Sequence, residues 1–189
     1  MRLIVVRVAV LLILAFTLMS SSPGPAMADQ MSAVDPTGNV VTATYEGQPI
    51  DPMLASHYFC HTRDYPIVRC FATQEGAYQD LELDAPLASH ATPLRGDFLP
   101  DWSGGAYTIA YWDINYGGSS LIVYGALSSL VVIGWNDAIS SIKSVNCGIP
   151  RYYVHINYSG GYWQNGCNTW SPNVGTFNDT FSSVINMAP

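Results

Sequence analysis

The chain has 189 residues and a formal net charge of −7, with seven Lys and Arg residues against fourteen Asp and Glu residues. An acidic chain of this kind has no clustered positive charge for the phosphates of a nucleic acid or the headgroups of an anionic membrane. We therefore expect no nucleic-acid partner and, once the leader described next is removed, no membrane partner.

The first 28 residues have the layout of a secretory signal peptide. Two arginines accompany an apolar run over residues 8–19, and small residues at Ala26 and Ala28 come just before Asp29. The apolar run is shorter than the about 20 residues that a membrane-spanning helix needs, so cleavage is favoured over a retained anchor. The sequence thus predicts a secreted, extracellular protein that begins at Asp29.

Residues 29–100 are predicted to form an N-terminal extension. Residues 29 to about 40 are small and polar and predict a flexible lead. Residues 41–71 hold β-rich runs on either side of a polar turn, which predicts a small stapled hairpin. Residues 72–100 are rich in proline and acid, which predicts a short helix or an irregular connection outside the core.

Four cysteines remain after the predicted cleavage, and an even number in an oxidising compartment indicates two disulfide bonds. Three pairings are possible. We favour Cys60 with Cys70 and Cys147 with Cys167, because these pairs close the shorter loops and fit the division of the chain into an extension and a later domain. Each bond would stabilise the protein by about 2–4 kcal/mol through the unfolded state.

Residues 101–189 are predicted to form an all-β domain. Short apolar runs such as AYTIAYW, SLIVYG and RYYVHIN are separated by Gly, Asn and Ser, a pattern typical of a β-sandwich or a β-barrel.

This domain is also internally repeated, because Asn178 follows Asn136 by 42 positions and the same offset aligns further residues. The aligned pairs are Tyr111 and Tyr153, Asn115 and Asn157, Tyr116 and Tyr158, Gly118 and Gly160, and Ser140–Ser141 and Ser182–Ser183. Two copies are fewer than the about three that a solenoid needs, so they indicate a single domain made of paired halves.

Two motifs, each present once per half, resemble the βγ-crystallin superfamily. YWDINYGG from Tyr111 and YVHINYSG from Tyr153 match its Greek-key signature, and NDAISS from Asn136 and NDTFSS from Asn178 match the calcium signature of its microbial members. The resemblance covers about residues 104–187. It implies two Greek-key motifs in a βγ-crystallin-like sandwich, preceded here by a small disulfide-stapled N-terminal segment.

The repeated NDxxSS loop offers the oxygen ligands that calcium prefers, namely an amide oxygen, a carboxylate and a hydroxyl. These side chains are Asn136, Asp137 and Ser140 in the first loop and Asn178, Asp179 and Ser182 in the second. One loop supplies fewer than the about six to eight oxygens that calcium takes. The resemblance implies two ions, each shared by the Asp of one loop and the first Ser of the other, with backbone carbonyls near Trp112 and Val154 completing the ligand sets.

A purely structural role for these loops is the alternative, since Asn, Asp and Ser commonly satisfy backbone groups in turns. We favour a metal site, because turn formation alone would not require the same Asp and the same pair of serines in both halves.

Other candidate sites are weaker. A zinc site at His57, Cys60 and His61 is not expected, because alternate positions of a strand face opposite sides and a disulfide bond would consume the thiol. The tryptophans are expected to pack in the core and the hairpins rather than to form a sugar-binding face. They are Trp102, Trp112, Trp135, Trp163 and Trp170.

The sequence therefore predicts a secreted calcium-binding protein without enzymatic activity, in which calcium stabilises the Greek-key domain. No set of nucleophile, base and oxyanion donors is visible in the chain. The alternative is a secreted protease inhibitor or another target-binding protein on the same fold, which would engage an extracellular protein with loops around the Cys147–Cys167 bond.

Overall fold

The computed structural model describes residues 32–83 and 105–187, which form two packed β-sheets and one short α-helix. The predicted signal peptide, residues 1–28, lies outside these ranges, as do Trp102 and most of the predicted connection before residue 101. Within the two ranges, no helix has the length and the apolar character needed to cross a membrane.

The strands of the described chain are short, as is typical of a sandwich. They are β1 (Ala33–Val34), β2 (Val40–Tyr45), β3 (Gln48–Ile50), β4 (Phe59–His61), β5 (Ile67–Phe71), β6 (Tyr107–Tyr111), β7 (Ser120–Val123), β8 (Ala126–Leu127), β9 (Ser141–Val145), β10 (Ile149–His155), β11 (Ser159–Gln164), β12 (Trp170–Ser171) and β13 (Ser183–Met187). Helix α1 spans Gln74–Asp80, a 3-10 helix spans Pro52–His57, and single 3-10 turns lie at Ile114–Tyr116, Val131–Ile133 and Gly175–Phe177.

Residues 105–187 form two four-stranded Greek-key motifs that exchange their third strands. The first motif consists of β6, β7, β8 and β9, and the second consists of β10, β11, β12 and β13. Strands β7–β6–β9 are completed by β12 of the second motif, and strands β11–β10–β13 are completed by β8 of the first. The predicted sandwich of two Greek keys is therefore confirmed.

The core between the two sheets is built from both motifs. Trp135 of the first motif and Tyr152 and Phe181 of the second are all fully buried in one hydrophobic cluster. Ile139 and Phe181, the apolar residues inside the two NDxxSS loops, are 0% exposed. Because buried side chains of this size each contribute about 1.5–3 kcal/mol, they anchor the loops firmly to the core.

The N-terminal extension continues the first sheet. Strand β4 pairs in parallel with β7, with Cys60 opposite Leu121, and the full order is β1–β2–β5–β4–β7–β6–β9–β12. Cys60 also lies opposite Cys70 in the β4–β5 hairpin, where the two form a disulfide bond, and a second bond joins Cys147 to Cys167. The disulfide pairing is the one that the sequence favours.

The prediction of a flexible lead over residues 29 to about 40 is wrong for residues 32–40, the part that the structure describes. Strand β1 pairs with β2, and the side chain of Asp35 is almost fully buried in the turn between them. Its carboxylate accepts hydrogen bonds from the backbone of Thr37 and Asn39 and, at 2.6 Å, from the Tyr65 hydroxyl. Strand β1 is only two residues long, so its sequence shows no periodicity. The hydrogen bonds of the Asp35 carboxylate in the turn that follows hold the strand in place.

Helix α1 confirms the predicted short helix, but the expectation that it lies outside the core is wrong. Ala77, Tyr78 and Leu81 pack in a second hydrophobic cluster against Tyr107 and Ile109 of β6. Strand β6 is consequently buried on both faces, whereas the outward side chains of its counterpart β10 are partly exposed. Three apolar side chains are too few to give a visible helical period in the sequence.

Replacing Leu81 by alanine is expected to destabilise the fold by about 2–4 kcal/mol, because the side chain is 1% exposed and its removal leaves a cavity over β6. Gln79→Ala, at an exposed position of the same helix, is the matched control and is expected to change the stability by less than about 0.5 kcal/mol. Urea denaturation of both variants measures the difference. Equal stabilities would show that α1 does not support the sheet.

Candidate functional site

The two NDxxSS loops are related by the duplication and adopt the same backbone conformation. The first runs from Asn136 into β9, and the second runs from Asn178 into β13. Asp137 and Asp179 each have a left-handed backbone with φ of 53°. Asp tolerates this region better than most residues, because its short polar side chain can hydrogen-bond locally.

Reciprocal backbone hydrogen bonds hold the two loops against each other. The Asp137 N–H donates to the carbonyl of Phe181 at 3.0 Å, and the Asp179 N–H donates to the carbonyl of Ile139 at 3.3 Å. The two aspartates, although 42 positions apart in sequence, therefore sit on either side of one local pseudo-twofold axis.

Each loop is also tied to the first strand of a motif. The Ser140 N–H donates to the carbonyl of Tyr111 at 3.0 Å, and the Ser182 N–H donates to the carbonyl of Tyr153 at 2.8 Å. Trp112 and Val154, whose carbonyls the resemblance implies as ligands, directly follow Tyr111 and Tyr153 in sequence and so come next to the points where the loops are bonded.

One side-chain contact crosses between the loops. Ser140 Oγ donates to Asp179 Oδ1 at 3.2 Å, and Asp179 Oδ2 accepts from the side-chain amide of its neighbour Asn178 at 2.6 Å. A hydroxyl of the first loop and a carboxylate and amide of the second thus surround one point. This is the mixed ligand set that an exchange of ligands between the halves requires.

The hydrogen bonds around Asp137 and Ser182 differ in one respect from those around Asp179 and Ser140. Asn136 Nδ2 donates to Asp137 Oδ2 at 2.7 Å, as in the second loop, but Ser182 Oγ donates to the carbonyl of Val154 at 3.0 Å. Ser182 therefore contacts one of the backbone oxygens of the implied ligand set, in place of the hydrogen bond to a carboxylate that Ser140 makes.

The first loop also contains a buried hydrogen-bond acceptor that has no partner in the described chain. This acceptor is Asn136 Oδ1. A buried acceptor without a partner costs about 1–3 kcal/mol, and such groups commonly mark the place of a water or an ion. Its counterpart Asn178 is exposed.

The donor set of the loops consists of hard oxygen atoms. Across residues 32–83 and 105–187, no group of three or more His, Cys, Asp or Glu side chains comes together. The loops instead offer one carboxylate each, together with amide, hydroxyl and backbone oxygens. Such a set suits calcium, which binds neutral and charged oxygens in flexible geometry, better than zinc, which takes nitrogen and sulfur ligands.

The second serine of each motif has a structural role that the sequence reasoning missed. Ser141 Oγ donates to the carbonyl of Asp113 at 2.6 Å and accepts from the backbone of Tyr116. Ser183 makes the equivalent hydrogen bonds to His155 and Tyr158. These serines fasten each Greek-key hairpin, and their exact repetition in sequence was the available signal.

The expectation that His57, Cys60 and His61 share one strand is wrong. His57 ends a 3-10 helix that begins at Pro52, so it does not share a strand with Cys60 and His61. His61 is buried on β4, where its Nε2 lies 2.8 Å from Asp80 Oδ2. Burial lowers the pKa of the His61 imidazole, and this outweighs the raising effect of the Asp80 carboxylate.

Four of the five tryptophans lie in the described chain. Trp135 is fully buried, and Trp163 is half-buried against the ring of Tyr152, as core packing predicts. Trp112 and Trp170 are 37% and 43% exposed, but each packs edge-on against a neighbouring ring, Trp112 on Trp135 and Trp170 on Tyr116.

Comparison with known proteins gives the family. No family model matches the chain, and no curated protein matches it. A βγ-crystallin from an archaeon is 33% identical in its solved structure, over 43% of this chain and 98% of that chain, with a TM-score of 0.39. A βγ-crystallin from Ciona intestinalis is 30% identical over 43% of this chain and 99% of that chain, with a TM-score of 0.39.

A double mutant of a βγ-crystallin domain from Clostridium beijerinckii is 30% identical, over 44% of this chain and 98% of that chain, with a TM-score of 0.40. The sequence identities extend over nearly the full length of each of these relatives. In agreement with the motifs in its two halves, the chain belongs to the βγ-crystallin superfamily.

Proposed function

We propose that the protein binds calcium between its two NDxxSS loops and that the bound ions stabilise the Greek-key sandwich. The observation that carries the proposal is the contact between Ser140 of one loop and Asp179 of the other. The unpaired acceptor on Asn136 supports it, because a buried oxygen without a donor is suited to a cation.

The proposed ligands come from distant parts of the chain and meet only in the folded protein. Each site would combine side chains of both loops with a backbone carbonyl of Trp112 or Val154. Because the unfolded chain lacks such a site, calcium binds the native state and stabilises it by mass action. The ions would thus hold together two motifs that already share their sheets, and their role is structural rather than catalytic.

The affinity is expected to be modest, since each loop contributes one carboxylate, Asp137 or Asp179. Fewer anionic ligands give less Coulomb attraction to offset the dehydration of the ion. We expect dissociation constants of about 10⁻⁵ to 10⁻³ M, which suits the calcium concentrations outside cells.

Two disulfide bonds support the further proposal that the protein works in an oxidising, extracellular compartment.

Target binding is the second candidate function, and one observation favours it. Residues 166–170 are exposed, and the disulfide bond between Cys147 and Cys167 ties this segment to the start of β10. A constrained exposed loop loses little entropy on binding a partner. Incubation with a panel of secreted proteases tests this candidate, because an inhibitor would titrate one of them stoichiometrically.

Calcium is expected to raise the melting temperature of the mature protein. At about 100 times the dissociation constant, one bound ion contributes about 2.7 kcal/mol, which corresponds to a shift of about 5–10 °C. Magnesium at the same concentration is the control and is expected to give a smaller shift, because it demands near-octahedral geometry and dehydrates reluctantly. Calorimetric titration into chelator-treated protein measures the affinity directly. Identical melting curves in calcium and in chelator would refute the proposal.

Ligand exchange predicts which mutations act on the same site. Asp179→Ala and Ser140→Ala should remove the same site, and the double variant should be little worse than the worse single variant. Combining Asp137→Ala with Ser140→Ala should damage both sites instead. Calcium titrations and thermal melts, each with calcium and with chelator, distinguish these groupings.

Ser141→Ala is the matched control for these variants, because Ser141 fastens a hairpin and makes no proposed metal contact. It is expected to lower stability by about 1 kcal/mol, equally with and without calcium. If the loop variants behaved in the same calcium-independent way, the loops would be turns only. If the calcium-dependent losses grouped Asp137 with Ser140, metal binding would stand and the exchange would not.

A further inference from the structure

A cation lies among aromatic rings on the outer face of the first sheet, on the strand that follows the first NDxxSS loop. Lys143, the only lysine of the chain, places its Nζ 4.4 Å from the ring centre of Tyr116, 4.6 Å from that of Trp170 and 5.4 Å from that of Tyr111. We call these four residues the lysine cage. Each distance is within the about 6 Å of a cation–π contact.

Strands β6, β9 and β12 and the hairpin after β6 build the lysine cage, with Tyr111 at the end of β6. Lys143 on β9 lies opposite Trp170 on β12, and Tyr116 comes from the hairpin that follows β6. The hydroxyl of Tyr111 accepts a hydrogen bond from the side chain of Gln74 on α1, so the N-terminal extension fixes one wall. The planes of the Tyr116 and Trp170 rings lie at 73° to each other, so these two walls are close to perpendicular.

The charge at the centre of the cage has no carboxylate partner in the described ranges. The ion pairs found there involve His61 and Arg69, and none involves Lys143. An ammonium group carries three hydrogen-bond donors. Burial lowers the pKa of Lys143, so the surroundings disfavour the charge that the rings partly stabilise. A bound anion would accept hydrogen bonds from these donors and stabilise the ammonium form.

The second half of the molecule shows what the fold alone requires. Tyr153 and Tyr158 repeat the edge-on ring contact of Tyr111 and Tyr116. At the position equivalent to Lys143, however, the second half has Ile185, and its neighbour on the third strand is Ala126. The contact between two tyrosines therefore occurs in both Greek keys, whereas the lysine and the tryptophan occur in the first one only.

We propose that the lysine cage binds a carboxylated saccharide, such as a hexuronate unit of an acidic glycan, with its carboxylate on Lys143 and its ring on Trp170 and Tyr116. Trp170 is 43% exposed, so part of its ring surface is accessible to a ligand. The C–H bonds of a sugar ring are weakly positive and pack on the negative face of an aromatic ring. The C–H bonds on different sides of such a puckered ring can contact two walls that meet near a right angle.

Calorimetric titration of the mature protein with trigalacturonate, and with its neutral methyl ester, tests the proposal. A chelator is present, because uronates bind calcium themselves. The acid form is expected to bind at least tenfold more tightly than the ester. Lys143→Ile should weaken the acid form about tenfold to hundredfold and remove the preference, since it deletes one charge-assisted contact. Trp170→Ala should weaken both forms by a similar factor.

Lys143→Ile and Trp170→Ala introduce residues like those at the equivalent positions of the second half, Ile185 and Ala126, so both variants are expected to fold, and thermal melts check this.

A measurement on the unaltered protein makes the test independent of folding. Because Lys143 is the only lysine, mass spectrometry can follow its acylation by an active ester, and trigalacturonate should slow that reaction whereas the ester should not. The absence of saturable binding, unchanged affinity in Lys143→Ile, or equally tight binding of benzoate would each overturn the proposal.

Discussion

The exchange of third strands between the two Greek keys is the constraint on which the rest of the structure depends. Because β8 completes the sheet of the second motif and β12 completes that of the first, neither motif can close its core without the other. The loops that lead into β9 and β13 are thereby brought together at the pseudo-twofold axis. A ligand set divided between Ser140 and Asp179 is a consequence of this topology, since neither loop alone offers enough oxygens for a calcium ion.

The N-terminal extension makes the two halves unequal. It adds β4 to the edge of β7 and places α1 over the outer face of β6, while the corresponding face of β10 stays partly exposed. The same extension fixes the Tyr111 wall of the lysine cage through Gln74. A duplicated domain thus acquires a distinct outer surface on one sheet, while the duplicated loops between the sheets keep their common geometry.

The sequence was sufficient for the features that repeat and insufficient for those that depend on distant partners. The offset of 42 positions identified the Greek keys and the NDxxSS loops, and short separations favoured the observed disulfide pairing. The burial of α1 was missed because three apolar residues give no clear period, and the partner of β4 lies about sixty positions away. Lys143 was missed because one charged residue in a strand looks like an ordinary surface position until its aromatic neighbours are known.

The sheet order also determines which strand edges are left for another chain to pair with. The edge of β7, which would be open in an isolated pair of Greek keys, is occupied by β4, but its counterpart β11 has no further strand beyond it in the described chain. An open edge with Tyr162 and Trp163 invites pairing with another chain. The register shift between Tyr153 and His155 bends this strand pair, and Gly160 and Gly161 weaken its edge as a template. Removing the bulge would turn a protected edge into a site of intermolecular sheet growth.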